Sequence, residues 1–303
     1  MVEKTQKADV DKITAPIKGA LVKAVHSGDY ITLTKGGKDY NIFLGSVSAP
    51  KIGSSSRVEE PFGFEAREFL RERIIGKKCD FHPDYNYGGR DYGTLLVNGE
   101  NVGLSIVQAG LAKIVEKKGS LPASAHYEEL VAAQNEAKNK KLAIHHASDD
   151  KYLEKHTRQV TYFSESGYSA AKLMEEAKGI DKPLEAIVEY IFNASFLTVY
   201  IHKFQTVAKV SMVFLYTPQQ GVDKNFIAEG KAFLEKFLLH RTVGVKLERY
   251  EAGPEGGPGN LYARIHHPAG DIAYEILKNG FAKLNTPKNT DFDADYYKTL
   301  KEA

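Results

Sequence analysis

The chain contains an internal repeat, and this repeat limits the folds open to it more than any other feature of the sequence. The segment EAREFLRERIIGKKCDF, which begins at Glu65, is matched by EGKAFLEKFLLHRTVGV, which begins at Glu229, and LSIVQAGLAKI is matched later by YEILKNGFAKL. The offset is 164 residues between Glu65 and Glu229 and 170 residues between Gly110 and Gly280. Matched segments in one order at nearly one spacing indicate a tandem duplication. The 303 residues are therefore predicted to form two domains of one fold.

Within each repeat, the pattern of apolar residues predicts three strands, a helix and two more strands. In the first repeat the three strands lie in GALVKAVHSGDYITLTKGGKDYNIFLGSV, with turns at Ser27-Gly28 and Gly36-Gly37. The segment FEAREFLRERII has apolar residues at helical spacing, and the strands KKCDFHP and YGTLLVN flank the turn-rich DYNYGGRDYG. This is the strand order of a five-stranded OB-type barrel. The predicted fold class is α+β, mainly β: tandem OB-fold barrels of five strands, each with added helices.

The domain boundaries follow from the repeat and from the polar stretch between its two copies. The first repeat is placed at residues 16–147 and the second at residues 182–303, and residues 148–181 are expected to form a linker with a short helix in AAKLMEEAK. The last segment, DADYYKTLKEA, has the pattern of the beginning of a helix. We expect either that the chain continues within a longer protein or that this final helix is shortened.

Composition excludes some classes of protein and leaves others open. No apolar run approaches the ~20 residues of a membrane helix, and the charged N-terminus lacks the apolar centre of a secretory signal. Cys79 is the only cysteine, so an internal disulfide is excluded and a cytoplasmic location, with the nucleus as a second one, is expected. The net charge of +2 permits nucleic-acid binding through local basic patches but does not require it.

The ordered motifs of the first repeat resemble those of staphylococcal nuclease-type domains. They are the Gly28-Asp29 turn, the helix FEAREFLRERIIGKK, the RDYG turn that begins at Arg90, and NGENVGLSIVQAGLAKI. The doubled arrangement, with HPAGDIAYEILKNGFAKL in the second repeat, is similar to the first two repeats of the Tudor staphylococcal nuclease (Tudor-SN) family. The resemblance covers nearly all of residues 16–303. It implies RNA binding, a part in small-RNA silencing complexes and small-RNA decay, and transcriptional coactivation.

The resemblance also implies a calcium site, because hard cations need several oxygen ligands. Asp29 occupies the position of the family's first calcium-binding aspartate. The other positions are replaced: Phe43 and Thr94 stand for the two phosphate-binding arginines, Ser48 for the second calcium aspartate, Ala49 for the threonine beside it, Lys51 for the catalytic glutamate, and Glu116 for a later active-site tyrosine. One carboxylate cannot build this site, although Glu59, Glu60 and Asp91 could contribute from nearby loops. Ca²⁺ is therefore expected at Asp29 only if nuclease activity is retained.

The second repeat retains less of the family's active-site pattern. Four of its residues stand opposite Asp29, Phe43, Ser48 and Lys51 of the first repeat; they are Ser195, Ser211, Tyr216 and Gln219. No pair of carboxylates and no pair of arginines is present at these positions. The second repeat is therefore predicted to be a binding or structural repeat.

A cluster of aromatic and basic residues in the first repeat is the predicted nucleic-acid contact. Tyr85, Tyr87, Arg90 and Tyr92 crowd one predicted turn, where they either stack on bases and hold phosphate or simply flank a hairpin. Lys113 adds positive charge on the same repeat. The predicted nucleic-acid-binding residues are Arg90, Tyr92, Tyr87 and Lys113.

Three functions remain open from the sequence. The first is an RNA-binding module with degenerate active sites, whose partner is single- or double-stranded RNA. The second is a calcium-dependent endoribonuclease that uses Asp29. The third is a protein-binding scaffold for silencing-complex or transcription proteins. Whether the chain is an enzyme, namely an endonuclease that hydrolyses phosphodiesters, stays open because most catalytic positions of the family pattern are replaced.

Overall fold

The computed structural model describes residues 12–117, 119, 122–146, 149–162, 170–217, 224–252, 259–268, 270–286 and 292–303. The chain divides into two compact units, Met1–Arg158 and Gln159–Ala303. Each unit has a hydrophobic core of its own. Among the described residues, no helix has the length and apolar character needed to cross a membrane.

The first unit is a closed β-barrel with helices around it. Its strands are β1 (Ile17–Val25), β2 (Tyr30–Lys35), β3 (Lys38–Leu44), β4 (Val47–Ser48), β5 (Lys78–Tyr87), β6 (Arg90–Val97), β7 (Glu100–Asn101) and β8 (Lys113–Ile114). Its helices are α1 (Gly63–Ile74), α2 (Val102–Gln108), α3 (Tyr127–Asn139) and α4 (Asp150–Lys155), with a 3₁₀ turn at Ala143–His145.

Five strands close this barrel in the order β1-β2-β3-β6-β5. Neighbouring strands are antiparallel except β3 and β6, which run parallel with Phe43 opposite Tyr92. Because side chains alternate between the two faces of a strand, Ile42 and Leu44 enter the core while Phe43 lies on the outer face. The short parallel pairing therefore brings outer-face residues of β3 and β6 side by side.

Helix α1 and the β1–β2 turn pack closely together. The helix contributes Ala66, Leu70 and Ile74 to the core, at the spacing that the sequence predicted. A Cβ added to Gly28 would lie 2.7 Å from Ala49 Cβ and 3.0 Å from Ala66 Cβ. Only glycine therefore allows the turn to approach this closely.

The second unit has the same architecture. Its strands are β9 (Thr161–Tyr162), β10 (Leu184–Asn193), β11 (Phe196–Ile201), β12 (Thr206–Met212), β13 (Leu215–Tyr216), β14 (Thr242–Glu251), β15 (Asn260–His267), β16 (Gly270–Asp271) and β17 (Lys283–Leu284). Its helices are α5 (Ala170–Glu176), α6 (Lys224–Leu238), α7 (Ile272–Lys278) and α8 (Ala294–Lys301), with a 3₁₀ turn at His202–Phe204. Strands β10-β11-β12-β15-β14 close the barrel, and β12 and β15 run parallel as β3 and β6 do.

The predicted fold class is confirmed, because both units are closed barrels of five strands with a helix between the third and fourth. One local prediction is wrong. The segment DYNYGGRDYG is not an extended turn, because β5 and β6 run through it and meet at Gly88-Gly89, whose φ angles are 59° and 74°. Two left-handed glycines form a tight hairpin turn. Stacking of Tyr85 on Tyr92 across the strands stabilises the hairpin up to that turn.

Part of the segment predicted as a linker packs on the first unit. Helix α4 lies within residues 148–181, and His156 just after it stacks on Phe62 with ring centroids 4.1 Å apart. Arg158 then forms an ion pair with the buried Glu59 at 2.6 Å. These contacts extend the first unit to Arg158.

Candidate nucleic-acid interface

Asp29 is a buried carboxylate whose two oxygens are both engaged. It follows Gly28 in the β1–β2 turn and is 6% exposed. Its Oδ1 accepts a hydrogen bond from Ser27 Oγ at 2.5 Å, and its Oδ2 accepts one from the Ala49 N–H at 3.1 Å. The Lys51 ammonium lies 3.3 Å from the same Oδ2. Two hydrogen-bond donors and one cation therefore stabilise the charged carboxylate.

The residues around Asp29 do not fit a calcium ion. Lys51 places a positive charge 3.3 Å from the carboxylate that would hold the ion, and Ser48, at the position of the second calcium aspartate, offers only a hydroxyl. The carboxylates that could contribute already have partners: Glu59 pairs with Arg158, Glu60 accepts from the Lys51 N–H at 2.8 Å, and Asp91 accepts from the Asn86 side-chain amide at 2.9 Å. In the described part of the chain, no three His, Cys, Asp or Glu side chains are grouped so that they could hold a metal.

Five aromatic rings form a continuous row on the outer face of the first barrel. This first row consists of His26, Tyr30, Phe43, Tyr92 and Tyr85, in that order. Successive ring centroids are 4.4, 4.6, 5.4 and 4.9 Å apart. The row crosses β2, β3, β6 and β5, because its last four members are cross-strand partners. All five residues are partly exposed, so the row presents an extended aromatic surface to solvent.

Three of the four predicted nucleic-acid-binding residues lie on the hairpin beside this row. Tyr92 is a member of it, and the Arg90 guanidinium lies 5.0 Å from the centroid of the Phe43 ring. Burial raises the pKa of the Tyr30 hydroxyl, and the nearby Arg90 charge opposes that rise. Tyr87 lies opposite Arg90 at the end of the hairpin and is 59% exposed. Phe43 stands where the family pattern has an arginine, and Arg90 supplies a cation from the neighbouring strand instead.

Lys113, the fourth predicted residue, lies in a different place. It is in β8, opposite Ser48 of β4, and its side chain is exposed. Together with Ser48, Glu60 and Ile144 it lines a cavity of about 430 Å³ in the first unit. Lys113 therefore belongs to the surroundings of β4 rather than to the first row.

The second unit has no carboxylate at the turn that corresponds to Asp29. Ser195 is buried there, and its hydroxyl and its N–H both donate to the Asn193 side-chain oxygen, at 3.2 and 2.9 Å. Ser211 lies in β12 and Tyr216 lies exposed in β13. Gln219 lies outside the described residues.

Reasoning from the sequence missed the first row as a unit. No motif of the sequence marks His26 or Tyr30, and Phe43 is marked only by the arginine that it replaces. The available signal was strand alternation, which places residues 30, 43, 85 and 92 on outer faces. Which of these residues are neighbours depends on the cross-strand register, and above all on the parallel β3–β6 pairing that closes the barrel.

Comparison with known proteins agrees with the barrel fold of the first unit. The family model "Staphylococcal nuclease homologue" matches residues 41–147, which run from within β3 to beyond α3. Ribonuclease TUDOR 2 of Arabidopsis thaliana is 28% identical over 349 residues, which cover 92% of this chain and 34% of the relative. Staphylococcal nuclease domain-containing protein 1 of Drosophila melanogaster is 28% identical over 304 residues, which cover 90% of this chain and 31% of the relative. The protein of that name from Schizosaccharomyces pombe is 26% identical over 289 residues, which cover 88% of this chain and 31% of the relative.

Residues 41–147 of the first unit thus match the staphylococcal nuclease homologues, and 92% and 90% of the chain are similar to the ribonuclease TUDOR 2 and the staphylococcal nuclease domain-containing protein 1 named above. The chain spans about a third of the length of these relatives, 34% for the first and 31% for the second. The matched part corresponds to a tandem of nuclease-like barrels.

Proposed function

We propose that this chain is an RNA-binding module of nuclease-like barrels that does not hydrolyse RNA by a calcium-dependent mechanism. Two of its relatives carry the name ribonuclease, and the family model is that of a nuclease. A barrel of this type does not by itself imply catalysis, because activity depends on the residues at the site. The site residues of this chain favour binding.

The first row is the observation that carries the proposal. Proteins that bind single strands combine aromatic rings, on which bases stack, with cations that hold the backbone. The first row supplies the rings, and Arg90 over Phe43 supplies a cation beside them. Tyr87, exposed at the end of the hairpin, extends the aromatic surface. A base stacked on such a surface contributes about 1–3 kcal/mol to binding.

The surroundings of Asp29 support the second half of the proposal. Hydrolysis in this family's manner needs a metal, a carboxylate that directs water, and cations that stabilise the developing charge. Here Lys51 is paired with Asp29 at 3.3 Å, and Phe43 takes part in stacking. Loss of one preorganised electrostatic group commonly slows a reaction by about 10²–10³. Several such replacements should leave hydrolysis very slow or absent.

The binding test uses fluorescence anisotropy with labelled oligo(rU) and the full chain. The Arg90→Ala/Tyr92→Ala double variant should bind about 5- to 150-fold more weakly, which corresponds to the loss of one base stack. The matched control is Arg73→Ala, because Arg73 also lies over an aromatic ring, that of Phe69, but on α1. Affinity should fall with salt, with a log–log slope of about −0.7 for each phosphate contact. No binding at micromolar protein in low salt would instead favour the protein scaffold.

The catalytic test uses labelled single- and double-stranded RNA with calcium, with and without a chelator. The wild-type chain and the Asp29→Ala variant should both leave the RNA intact over the time of the assay. Rapid cleavage that is sensitive to chelator and lost in Asp29→Ala would contradict the proposal and favour the calcium-dependent endoribonuclease.

The proposal also includes the process, the partners and the cellular location of the chain. An RNA-binding tandem of this kind suits a role in small-RNA silencing or decay, with silencing-complex or transcription proteins as partners. A cytoplasmic location, with the nucleus as a second one, accords with the single cysteine, Cys79, which is buried and free.

A further inference from the structure

The second unit repeats the first row at the same positions, with rings at three of the five positions and without a ring at its centre. Phe192 stacks on Phe196 with centroids 4.7 Å apart and an interplanar angle of 24°, as His26 stacks on Tyr30 at 4.4 Å and 24°. Ser211 then takes the place of Phe43. The second row is defined as Phe192, Phe196, Tyr262 and Arg249, which correspond to His26, Tyr30, Tyr92 and Tyr85.

The correspondence rests on identical strand pairing. Phe196 lies opposite Ser211, Ser211 opposite Tyr262, and Tyr262 opposite Arg249. The equivalent pairs in the first unit are Tyr30 with Phe43, Phe43 with Tyr92, and Tyr92 with Tyr85. The two barrels therefore present the same four strands in the same register, and at the centre of the row the second barrel has the small side chain of Ser211 where the first has the ring of Phe43.

The missing ring leaves a slot between Phe196 and Tyr262. Their strands, β11 and β15, flank β12, so they are separated by about twice the ~4.8 Å strand spacing. In the first unit this width is filled by the Phe43 ring, at 4.6 Å from Tyr30 and 5.4 Å from Tyr92. The serine hydroxymethyl group is much smaller than a phenyl ring. The slot therefore has the width of one aromatic ring.

The slot is bordered by two aromatic rings, and each ring packs against another side chain on its far face. Phe192 stacks on the side of Phe196 that is away from β12, because β10 pairs with the far edge of β11. The Arg249 guanidinium lies 3.7 Å from the centroid of Tyr262, on the side toward β14. The faces that turn toward β12 border the slot. A planar ring entering it would stack on both sides.

Cations surround the second row. Lys209 lies two residues before Ser211 on the outer face of β12, with Nζ 5.7 Å from the Phe192 centroid. Arg249 lies at the other end, where it forms an ion pair with Glu251, whose carboxylate also accepts a hydrogen bond from the Tyr262 hydroxyl at 2.8 Å. Lys231 lies 4.7 Å from the centroid of the Tyr190 ring next to Phe192. Positive groups at both ends of an aromatic slot suit a planar base carried on a phosphate backbone.

We propose that the slot at Ser211 binds one unpaired nucleobase of a single-stranded nucleic acid, stacked between Phe196 and Tyr262. Lys209 and Arg249 lie near the phosphates on either side of that base. The inference rests on the proposed function only for the class of ligand, and it adds a site in the second unit. Bases within a duplex are already stacked on both faces and do not enter.

The test exploits the absence of tryptophan from the chain. Phe196→Trp places a single indole beside the slot, and stacking of a base should quench its fluorescence. Oligo(rU) and oligo(dT) should both quench it, whereas a duplex should not. Adding Ser211→Phe to this variant fills the slot as Phe43 does and should weaken the quenching titration about 5- to 150-fold. Ser211→Ala keeps the slot and should leave the titration unchanged.

Two controls separate the slot from general binding and from misfolding. Tyr250→Trp places the indole opposite the core residue Leu261, on the other face of the sheet from Tyr262, and should not be quenched. Circular dichroism and thermal unfolding of Ser211→Phe should match those of the parent variant, because the first barrel accommodates a phenylalanine at that position.

The outcomes distinguish the inference from the proposed function. Single strands that bind the chain by anisotropy without quenching Phe196→Trp would overturn the slot and leave the RNA-binding module standing. Quenching that persists unchanged in folded Ser211→Phe would also overturn it. If no oligonucleotide binds the chain by either readout, both the slot and the proposed function fail, and a protein partner becomes the ligand of these rings.

Discussion

Removal of the Asp29 side chain should destabilise the first barrel. Asp29 accepts hydrogen bonds from Ser27 Oγ and from the Ala49 N–H, and all three residues are buried. Asp29→Ala leaves both donors without their acceptor, at about 1–3 kcal/mol for each buried group. The Ser27 hydroxyl can rotate toward another acceptor, so we expect a loss in unfolding free energy of about 2–4 kcal/mol in total.

Asp29→Asn is the matched variant. Its amide oxygen can accept from the Ala49 N–H, and its amide nitrogen can donate to the Ser27 hydroxyl, so both buried contacts are retained. Only the pairing with Lys51 is lost. Because the Lys51 side chain is 46% exposed, that pairing contributes about 0–1 kcal/mol. Asp29→Asn and Lys51→Met should therefore both remain close to the wild-type stability.

The assay needs to report on the first unit alone, and Cys79 allows this. It is the only cysteine of the chain and lies buried in β5. The rate at which its thiol reacts with a disulfide reagent in mild denaturant reports the opening of the first barrel. For a unit of this size, a loss of 2–4 kcal/mol lowers the midpoint of thermal unfolding by about 4–16 °C.

The refuting result is equally specific. A carboxylate kept for metal binding is commonly held at a cost to stability, so its neutralisation stabilises the protein. If Cys79 in Asp29→Ala reacts no faster than Cys79 in the wild-type chain, then the Asp29 side chain does not stabilise the first barrel. The metal-binding interpretation of this turn would then regain support.

Three further results are expected. Gly28→Ala should lower stability by about 1–3 kcal/mol in chemical denaturation, because its Cβ would meet Ala49 Cβ at 2.7 Å; a neutral effect would show that the turn can move away. Burial raises the pKa of the Cys79 thiol to about 12, so alkylation at pH 8 should be slow in the native chain and fast in denaturant, and rapid native labelling would contradict the packing of β5. Burial, helped by Lys138 and Lys113, lowers the pKa of His145 in the folded chain; the unfolded chain then takes up the proton first, so stability should fall as the pH drops below about 6.5, and by less in His145→Gln. An equal pH dependence of unfolding in the two chains would show that His145 does not carry this effect.

The sequence by itself determined the duplication, the order of the barrel strands and the helix between the third and fourth strands. Residues such as Ala66, Leu70 and Ile74 recur at helical spacing, and this local signal depends only on neighbours within a few turns. The replaced active-site positions could also be read directly, because matching Phe43, Ser48 and Lys51 to a motif requires no coordinates.

Only the tertiary structure decided what takes the place of the lost site. Tyr30 and Phe43 are 13 residues apart, and Phe43 and Tyr92 are 49 residues apart (43 − 30 and 92 − 43), yet all three rings are in contact in one row. That contact exists because the parallel β3–β6 pairing closes the barrel in one register, and a shift of one residue would turn Phe43 inward. The same register in the second unit brings Ser211 between Phe196 and Tyr262. Long-range pairing of this kind has no local periodicity in the sequence, and so the aromatic row of the first unit and the serine at the centre of the second row emerge only from the closed barrels.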